Sequence, residues 1–308
     1  VSGPLRLSLA PPDAPRAPFR QLSALWIQVT GTWCNLTCTH CFNASGPKDP
    51  WVRRMGPAQV RAAIDEAAAI GVKELYFTGG EPFLHPDILE LIQYALRHAP
   101  TTVLTNGTPI TEAVADRLGA LAAATRYSLE IRLSLDAPDA ETNDAIRGRG
   151  VFAKVLRAAR LLEARRVLPI ITVSEIAMER GPADGAPAGQ AGADGLAAGP
   201  YGRLREMLLA AGIRRPRLKI IPVFHMGRLA EKARALTPAH LEGFDFGLLQ
   251  CTETRAVTAE GVYSCPILAG LPGARLSAGS LADSLNPCAL YHSACVTCYE
   301  TGMTCRNF

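Results

Sequence analysis

The chain has 308 residues, nine of them cysteine, with 48% apolar and 19% charged side chains and 32 basic against 28 acidic residues. That length suits one large domain or two ordinary ones with a substantial core, and a formal net charge of +4 is too small for a nucleic-acid-binding surface. Nearly all the basic residues are arginine, spread through Ala-rich stretches such as VLRAARLLEARR that read as solvated helix faces.

Prolines interrupt the opening VSGPLRLSLAPPDAPRAPFRQ, where a signal peptide needs an unbroken apolar run. No later segment reaches the length of a membrane span, so a cytoplasmic protein without membrane or nucleic-acid partners is expected. In a reducing compartment nine cysteines point to metal ligation or thiol chemistry rather than to a disulfide framework. Residues 1–23 are set apart as an N-terminal segment.

From Trp26 to about Val223, short apolar or β-branched runs alternate with longer helical patterns. The runs cover 24–30, 74–78, 101–105, 129–135, 168–174 and 217–223. GPAQVRAAIDEAAAIG typifies the helical stretches, with Pro57 suited to a first turn and Gly71 placed for a C-terminal cap. Repeated strand–helix alternation predicts right-handed crossovers and a parallel sheet: an α/β fold built as a partial (β/α)6 barrel over residues 24–225. Residues 180–200, RGPADGAPAGQAGADGLAAGP, offer nothing to bury and are expected to be a flexible surface insertion, with a lid over the strand ends as the alternative. After about residue 224 the alternation stops, and residues 226–308 are expected to form a small, loop-rich, metal-stabilised module.

Three cysteines, Cys34, Cys38 and Cys41, follow the first strand with C-x3-C-x2-C spacing, at the face where a parallel barrel keeps its chemistry. Three thiolates can hold three corners of a [4Fe–4S] cubane and leave the fourth iron open. A zinc site with a distant fourth ligand such as His40, or ordinary buried thiols, satisfy the same spacing. YFTGGEP, residues 76–82, then ends the second strand with Gly79 and Gly80, where bare backbone can approach a ligand, followed by Glu81.

With CxxxCxxC after the first strand and GGEP after the second, the chain resembles the radical S-adenosylmethionine superfamily over about residues 24 to 225. The resemblance implies that the open iron is chelated by the amino and carboxylate groups of S-adenosylmethionine. One-electron cleavage then gives methionine and a deoxyadenosyl radical that takes a hydrogen atom from the substrate. On the same resemblance, Gly79, Gly80 and Glu81 meet the methionine amino group, and His40 and Phe42 lie near adenine. Asn106 of LTNG, Ser134 and Asp136 of RLSLD, and Arg147 are expected to contact ribose or carboxylate, with capping or turn roles as the alternative.

The C-terminal six cysteines are Cys251, Cys265, Cys288, Cys295, Cys298 and Cys305. Cys-x2-Cys with two distant thiols resembles the auxiliary-cluster extensions called SPASM and twitch domains, and implies a second [4Fe–4S] cluster on Cys251, Cys265, Cys295 and Cys298. Zinc in the same tetrad is the alternative. Cys288 and Cys305 are left over, either as replacement ligands or as a hydrogen-atom donor to a substrate radical. PVFHMGRLAEK, residues 222–232, joins the two parts and resembles a Gly-Arg step after the last barrel strand, with Met226 near the adenosine.

The expected protein is thus a radical S-adenosylmethionine enzyme reduced by a flavodoxin or ferredoxin-type donor. Its substrate is expected to be a small metabolite or natural-product intermediate, because the 23 residues before Ala24 cannot form the winged-helix domain often used to recognise leader peptides. Maturation of a ribosomally made peptide is one alternative, and a non-catalytic iron–sulfur or zinc scaffold is the other.

Overall fold

The computed structural model describes residues 9–48, 50–175, 199–230 and 234–302. The six expected strands form with their ends shifted by no more than a few residues: β2 (Ala24–Gln28), β3 (Glu74–Thr78), β4 (Thr101–Thr105), β5 (Leu129–Ser134), β6 (Ile170–Ser174) and β7 (Arg217–Ile221). They are preceded by a two-residue β1 (Arg16–Ala17) and followed by β8 (Thr254–Thr258), β9 (Gly261–Tyr263), β10 (Arg275–Ser277) and β11 (Cys288–Ala289). The helices are α1 (Pro57–Ile70), α2 (Ile88–Ala95), α3 (Glu112–Ala124), α4 (Ala140–Arg147), α5 (Val151–Ala164), α6 (Pro200–Ala210) and α7 (Ser293–Thr301). Of the proposed insertion, residues 180–198 lie outside the described residues, as does Cys305. No helix is long and apolar enough to cross a membrane among the described residues.

The chain divides into two compact units: Val1–Val103, Thr125–Leu129 and Phe224–Phe308 in the first, Leu104–Ala124 and Glu130–Val223 in the second. In the first, β8, β2, β3 and the start of β4 lie side by side and parallel, and β9 and β10 extend the β8 edge as antiparallel strands. In the second, β5, β6 and β7 are parallel. Among the described residues neither unit closes its strands into a barrel.

Burial on both faces is what makes these strands legible, because a parallel strand covered on both sides reads as a near-continuous apolar run. Leu25, Ile27, Leu75 and Phe77 have no solvent exposure on one face of β2 and β3. On the other face Trp26 pairs in register with Tyr76, and their rings stack at 4.2 Å. Helix α1 begins at Pro57, whose missing N–H would be unpaired there anyway, buries Val60, Ile64 and Ala67 as one stripe, and stops at Gly71 in the left-handed region (φ 97°). In the second unit α5 buries Val155, Ala159 and Leu162, and Ile131, Leu133, Ile171 and Val173 fill the sheet.

The cysteine-rich segment enters the first unit through β8, whose Thr254 pairs with Ala24. Turn residues Ala259 and Glu260 return the chain to β9, where Gly261 (φ 140°) sits so close to β10 that a Cβ would come within 2.4 Å of the Ser277 carbonyl oxygen. Backbone pairing also ties the N-terminal segment down. β1 pairs antiparallel with β11, the Leu290 N–H donates to the Pro15 carbonyl, and the Arg20 N–H donates to the Thr252 carbonyl.

Glu163 illustrates how a residue poorly suited to its helix position is retained for a tertiary reason. A carboxylate in the last turn of α5 opposes the helix dipole. Here the buried side chain accepts the Arg214 and Arg215 N–H groups at 3.1 Å, fixing the turn into β7. Glu163→Ala would leave those two donors without their acceptor and is expected to destabilise the protein by about 2 kcal/mol in urea unfolding. Glu163→Gln, which keeps one carbonyl acceptor, should cost less.

Candidate functional site

Between β2 and α1 the chain forms a loop with little regular structure that carries Cys34, Cys38 and Cys41. Its entrance and exit are closed by the Cys34 N–H on the Gly46 carbonyl (3.0 Å) and the Gly46 N–H on the Thr32 carbonyl (3.1 Å). Within it the Cys41 N–H donates to the Cys38 carbonyl, and the Leu36 and Ser45 N–H groups point at the sulfurs of Cys34 and Cys41 at 3.4 Å. Amide donors aimed at sulfur favour the thiolate form, whereas burial favours the thiol. At Cys34 burial prevails and pushes the thiol up to about 12, with the nearby Glu81, Cys38 and Cys41 adding to the rise. Such thiols become ligands when a cation displaces their protons.

The GGEP turn packs directly on this loop. A Cβ at Gly80 would come within 2.1 Å of the Trp33 carbonyl oxygen, and one at Gly79 (φ 141°) within 2.3 Å of Thr30 Oγ1. Both glycines are therefore needed for the turn to pack this closely on residues 30–34, a role beyond the ligand contact expected from the motif. Glu81 is buried; its N–H donates to the Trp33 carbonyl and its carboxylate accepts the Phe83 N–H at 3.0 Å. His85, the next residue able to bind metal, is already engaged: Nδ1 accepts the Asp87 N–H, leaving Nε2 to donate to the Met55 carbonyl at 3.0 Å.

A second arm reaches the loop from the segment after β7. Gly227 (φ 61°) lies on the Cys41 and Phe42 backbone, where a Cβ would come within 2.4 Å of either carbonyl oxygen. The neighbouring Arg228 donates from its backbone to the Cys41 carbonyl and from its guanidinium to the carbonyls of Cys38 (2.9 Å), Ala44 (3.2 Å) and Ser45 (2.5 Å). Met226 is buried beside them, and the Phe42 ring is 6.1 Å from Phe224. His40 is half-buried on the loop. The Gly-Arg step was legible in HMGRLAEK, but its function as a clamp on carbonyls needed the structure.

The remaining expected cofactor residues lie in the second unit, at or after the ends of β4 and β5. Asn106 accepts the Thr108 N–H and hydroxyl, the turn geometry open as its alternative. Asp136 is buried; one carboxylate oxygen accepts the Ser174 N–H and hydroxyl, and the other is 2.6 Å from Arg147 Nε. Asn143 accepts the Asp136 N–H at 3.1 Å. Asp136 and Arg147 are thus each other's ion-pair partners within a hydrogen-bonded knot joining β6 and α4, while Ser134 is half-exposed at the end of β5.

Around the C-terminal cysteines the structure draws five thiols to one pocket: Cys251, Cys265, Cys288, Cys295 and Cys298. The four expected ligands are among them, and Cys288 joins them from β11, a placement with no spacing signal in the sequence. Aliphatic side chains supply most of the remaining wall. Burial pushes Cys265 and Cys295 up to about 12. The Cys251 thiol donates to Cys288 and is held well above its ordinary value by that bond and by burial, while Cys288, as the acceptor and a neighbour of Arg255, falls. Among the described residues no three His, Cys, Asp or Glu side chains form a group that could hold a metal ion, so the fit to a cluster rests on donor chemistry. Three thiols on one clamped loop, and five in one apolar pocket, match the all-thiolate ligation and low-dielectric surroundings of iron–sulfur clusters.

Comparison with known proteins bears on the family and the fold. The Radical SAM superfamily model matches residues 29–181. Mycofactocin maturase MftC of Mycobacterium tuberculosis is 42% identical over 132 residues, 42% of this chain and 32% of the maturase. The AdoMet-dependent heme synthase of Methanosarcina barkeri is 37% identical over 131 residues, 42% of this chain and 36% of the synthase. The chain thus matches about a third of the length of these relatives. The solved structure of anSMEcpe with bound AdoMet superposes with a TM-score of 0.60 at 19% identity, covering 85% of this chain and 79% of that one, and shares the fold. Through residues 29–181, the part that carries the C-x3-C-x2-C loop and the GGEP turn, the chain belongs to the Radical SAM superfamily.

Proposed function

We propose that this chain is an enzyme that reductively cleaves S-adenosylmethionine at a [4Fe–4S] cluster held by Cys34, Cys38 and Cys41 and uses the product to take a hydrogen atom from its substrate. The observation that carries this reading is the loop itself: three thiols whose connecting backbone is fixed from one side by Gly79–Gly80 and from the other by Gly227–Arg228. When bound, the cluster and S-adenosylmethionine supply the radical chemistry. The chain's own task is to hold the thiols and to keep their fourth position free of side-chain ligands.

Gly79, Gly80, Glu81, His40 and Phe42 are proposed contacts of S-adenosylmethionine. So are Asn106, Ser134, Asp136 and Arg147, with the Asp136–Arg147 pair acting by orienting the ends of β5 and β6. Residues 24–225 are proposed as the catalytic core, 226–308 as an auxiliary-cluster module and 1–23 as an N-terminal segment whose β1 pairs with β11 of that module. A flavodoxin or ferredoxin-type protein is the proposed electron donor. The maturase relative favours a ribosomally made peptide as substrate. The heme synthase relative favours the second reading, a small metabolite or natural-product intermediate.

Anaerobic reconstitution should load about eight irons per chain, as two cubanes require. Incubation with S-adenosylmethionine and a chemical reductant should then release deoxyadenosine. Replacing Cys34, Cys38 and Cys41 together by Ala should halve the iron and abolish deoxyadenosine; continued cleavage by that variant would refute the assignment, and a loaded wild type that never cleaves would make the chain a scaffold.

The Arg228 clamp gives a separate check. Arg228→Ala removes three guanidinium bonds to loop carbonyls and should speed iron loss to a chelator by about tenfold, equivalent to one charge-assisted bond of ~1.5 kcal/mol. The exposed Arg53→Ala should leave the rate unchanged.

A further inference from the structure

Among the described residues, Arg255 heads the largest side chains with no solvent exposure. It lies in β8, paired with Leu25, in a strand whose other residues are Thr, Ala, Val and Thr. Burial of an isolated cation costs several kcal/mol unless something nearby supplies negative charge. Carboxylates do not: among the described residues Arg255 has no ion pair with Asp or Glu. Its guanidinium donates instead to four backbone carbonyls, those of Cys251 (2.8 Å), Thr254 (2.6 Å), Ser284 (2.8 Å) and Asn286 (2.7 Å). The half-buried ring of Phe19 lies 4.0 Å from the guanidinium carbon and closes the outer side.

Those carbonyls belong to the two segments that deliver Cys251 and Cys288 to the thiol pocket. The guanidinium is also within electrostatic reach of Cys288, Cys251 and Cys265, three groups able to become anionic. A cubane with four thiolates is negative in both oxidation states and more so when reduced. A fixed cation beside it therefore favours the reduced form.

We propose that Arg255 is the internal counter-cation of the auxiliary cluster and holds that cluster's reduction potential up. Arg255 has this role only if the auxiliary cluster proposed above is present, and the test is built to separate the two. A chain carrying Cys34→Ala, Cys38→Ala and Cys41→Ala isolates the C-terminal site. Absence of iron from that chain after reconstitution would remove the auxiliary cluster, and Arg255's role with it.

With iron present, a dithionite titration followed by electron paramagnetic resonance reads the potential in that background. Arg255→Met should lower it by at least tenfold in the reduction equilibrium, about 59 mV for one electron. Arg255→Lys, which keeps the charge, should stay within about threefold. Because Arg255 also ties two turns together, Arg255→Met can fail to fold, and Phe19→Glu then decides. That change leaves every Arg255 bond in place, sets a carboxylate against the guanidinium and should lower the potential in the same direction. Iron retained with an unmoved potential in Phe19→Glu would overturn the proposal while leaving the cluster intact. Loss of auxiliary iron from a folded Phe19→Glu chain would overturn it too, because the charge would then be needed to hold the iron rather than to set its potential. The metal-free chain gives an independent readout: there the new carboxylate supplies the missing anion, so Phe19→Glu should raise the thermal midpoint, and a fall would count against a buried cation in need of charge.

Discussion

A cysteine-bearing segment without helix or strand leaves carbonyls without the partners that regular structure would give them. In this chain that constraint is met twice in the same way. Arg228 gathers the carbonyls of Cys38, Ala44 and Ser45, and Arg255 gathers those of Cys251, Thr254, Ser284 and Asn286. Arginine suits both places because its planar fork offers five donors and keeps its charge when buried. Each guanidinium fixes backbone rather than side chains, so the cysteines themselves stay available. Positive charge also collects beside thiols that would become anionic on binding iron.

The glycines carry the complementary half of the design. Gly80 and Gly227 each occupy a point where a Cβ would lie within 2.4 Å of a backbone carbonyl oxygen of the C-x3-C-x2-C loop, so three stretches of backbone meet there without side chains between them. Backbone-to-backbone contact leaves few rotamers to relax, which suits a site that must hold its geometry to a fraction of an ångström. The C-terminal thiols reach their pocket by a different route, through sheet pairing. β8 joins β2, β11 joins β1, and Phe19 follows β1 closely enough to cover Arg255. The N-terminal segment is thereby part of the thiol pocket's support.

In the second unit the same economy appears with side chains. Asp136 satisfies Ser174 and pairs with Arg147 in a buried knot, and Glu163 serves two backbone amides of the turn into β7. Removing one member of such a knot leaves a buried charge, so these residues resist substitution for structural reasons even where they also orient a cofactor. A residue of this kind is read as a ligand or as a support only through its partners.

The sequence by itself determined the α/β alternation, the six strands from Ala24 to Ile221, and the family, because parallel strands buried on both faces leave an unbroken apolar signature and because CxxxCxxC and GGEP are local motifs. It also determined which cysteines stand in Cys-x2-Cys spacing. Tertiary structure alone decided that β8 would lie parallel to β2, since the chain between β7 and β8 has no helical period to announce a crossover. It decided that Cys288, with no partner at metal-ligand spacing, would join the other thiols, because β1 pairs with β11 across more than 270 residues of chain. And it decided the meaning of Arg255: in a five-residue strand one arginine reads as an outward-facing polar residue, and only the four carbonyls and the ring around it make it a buried cation.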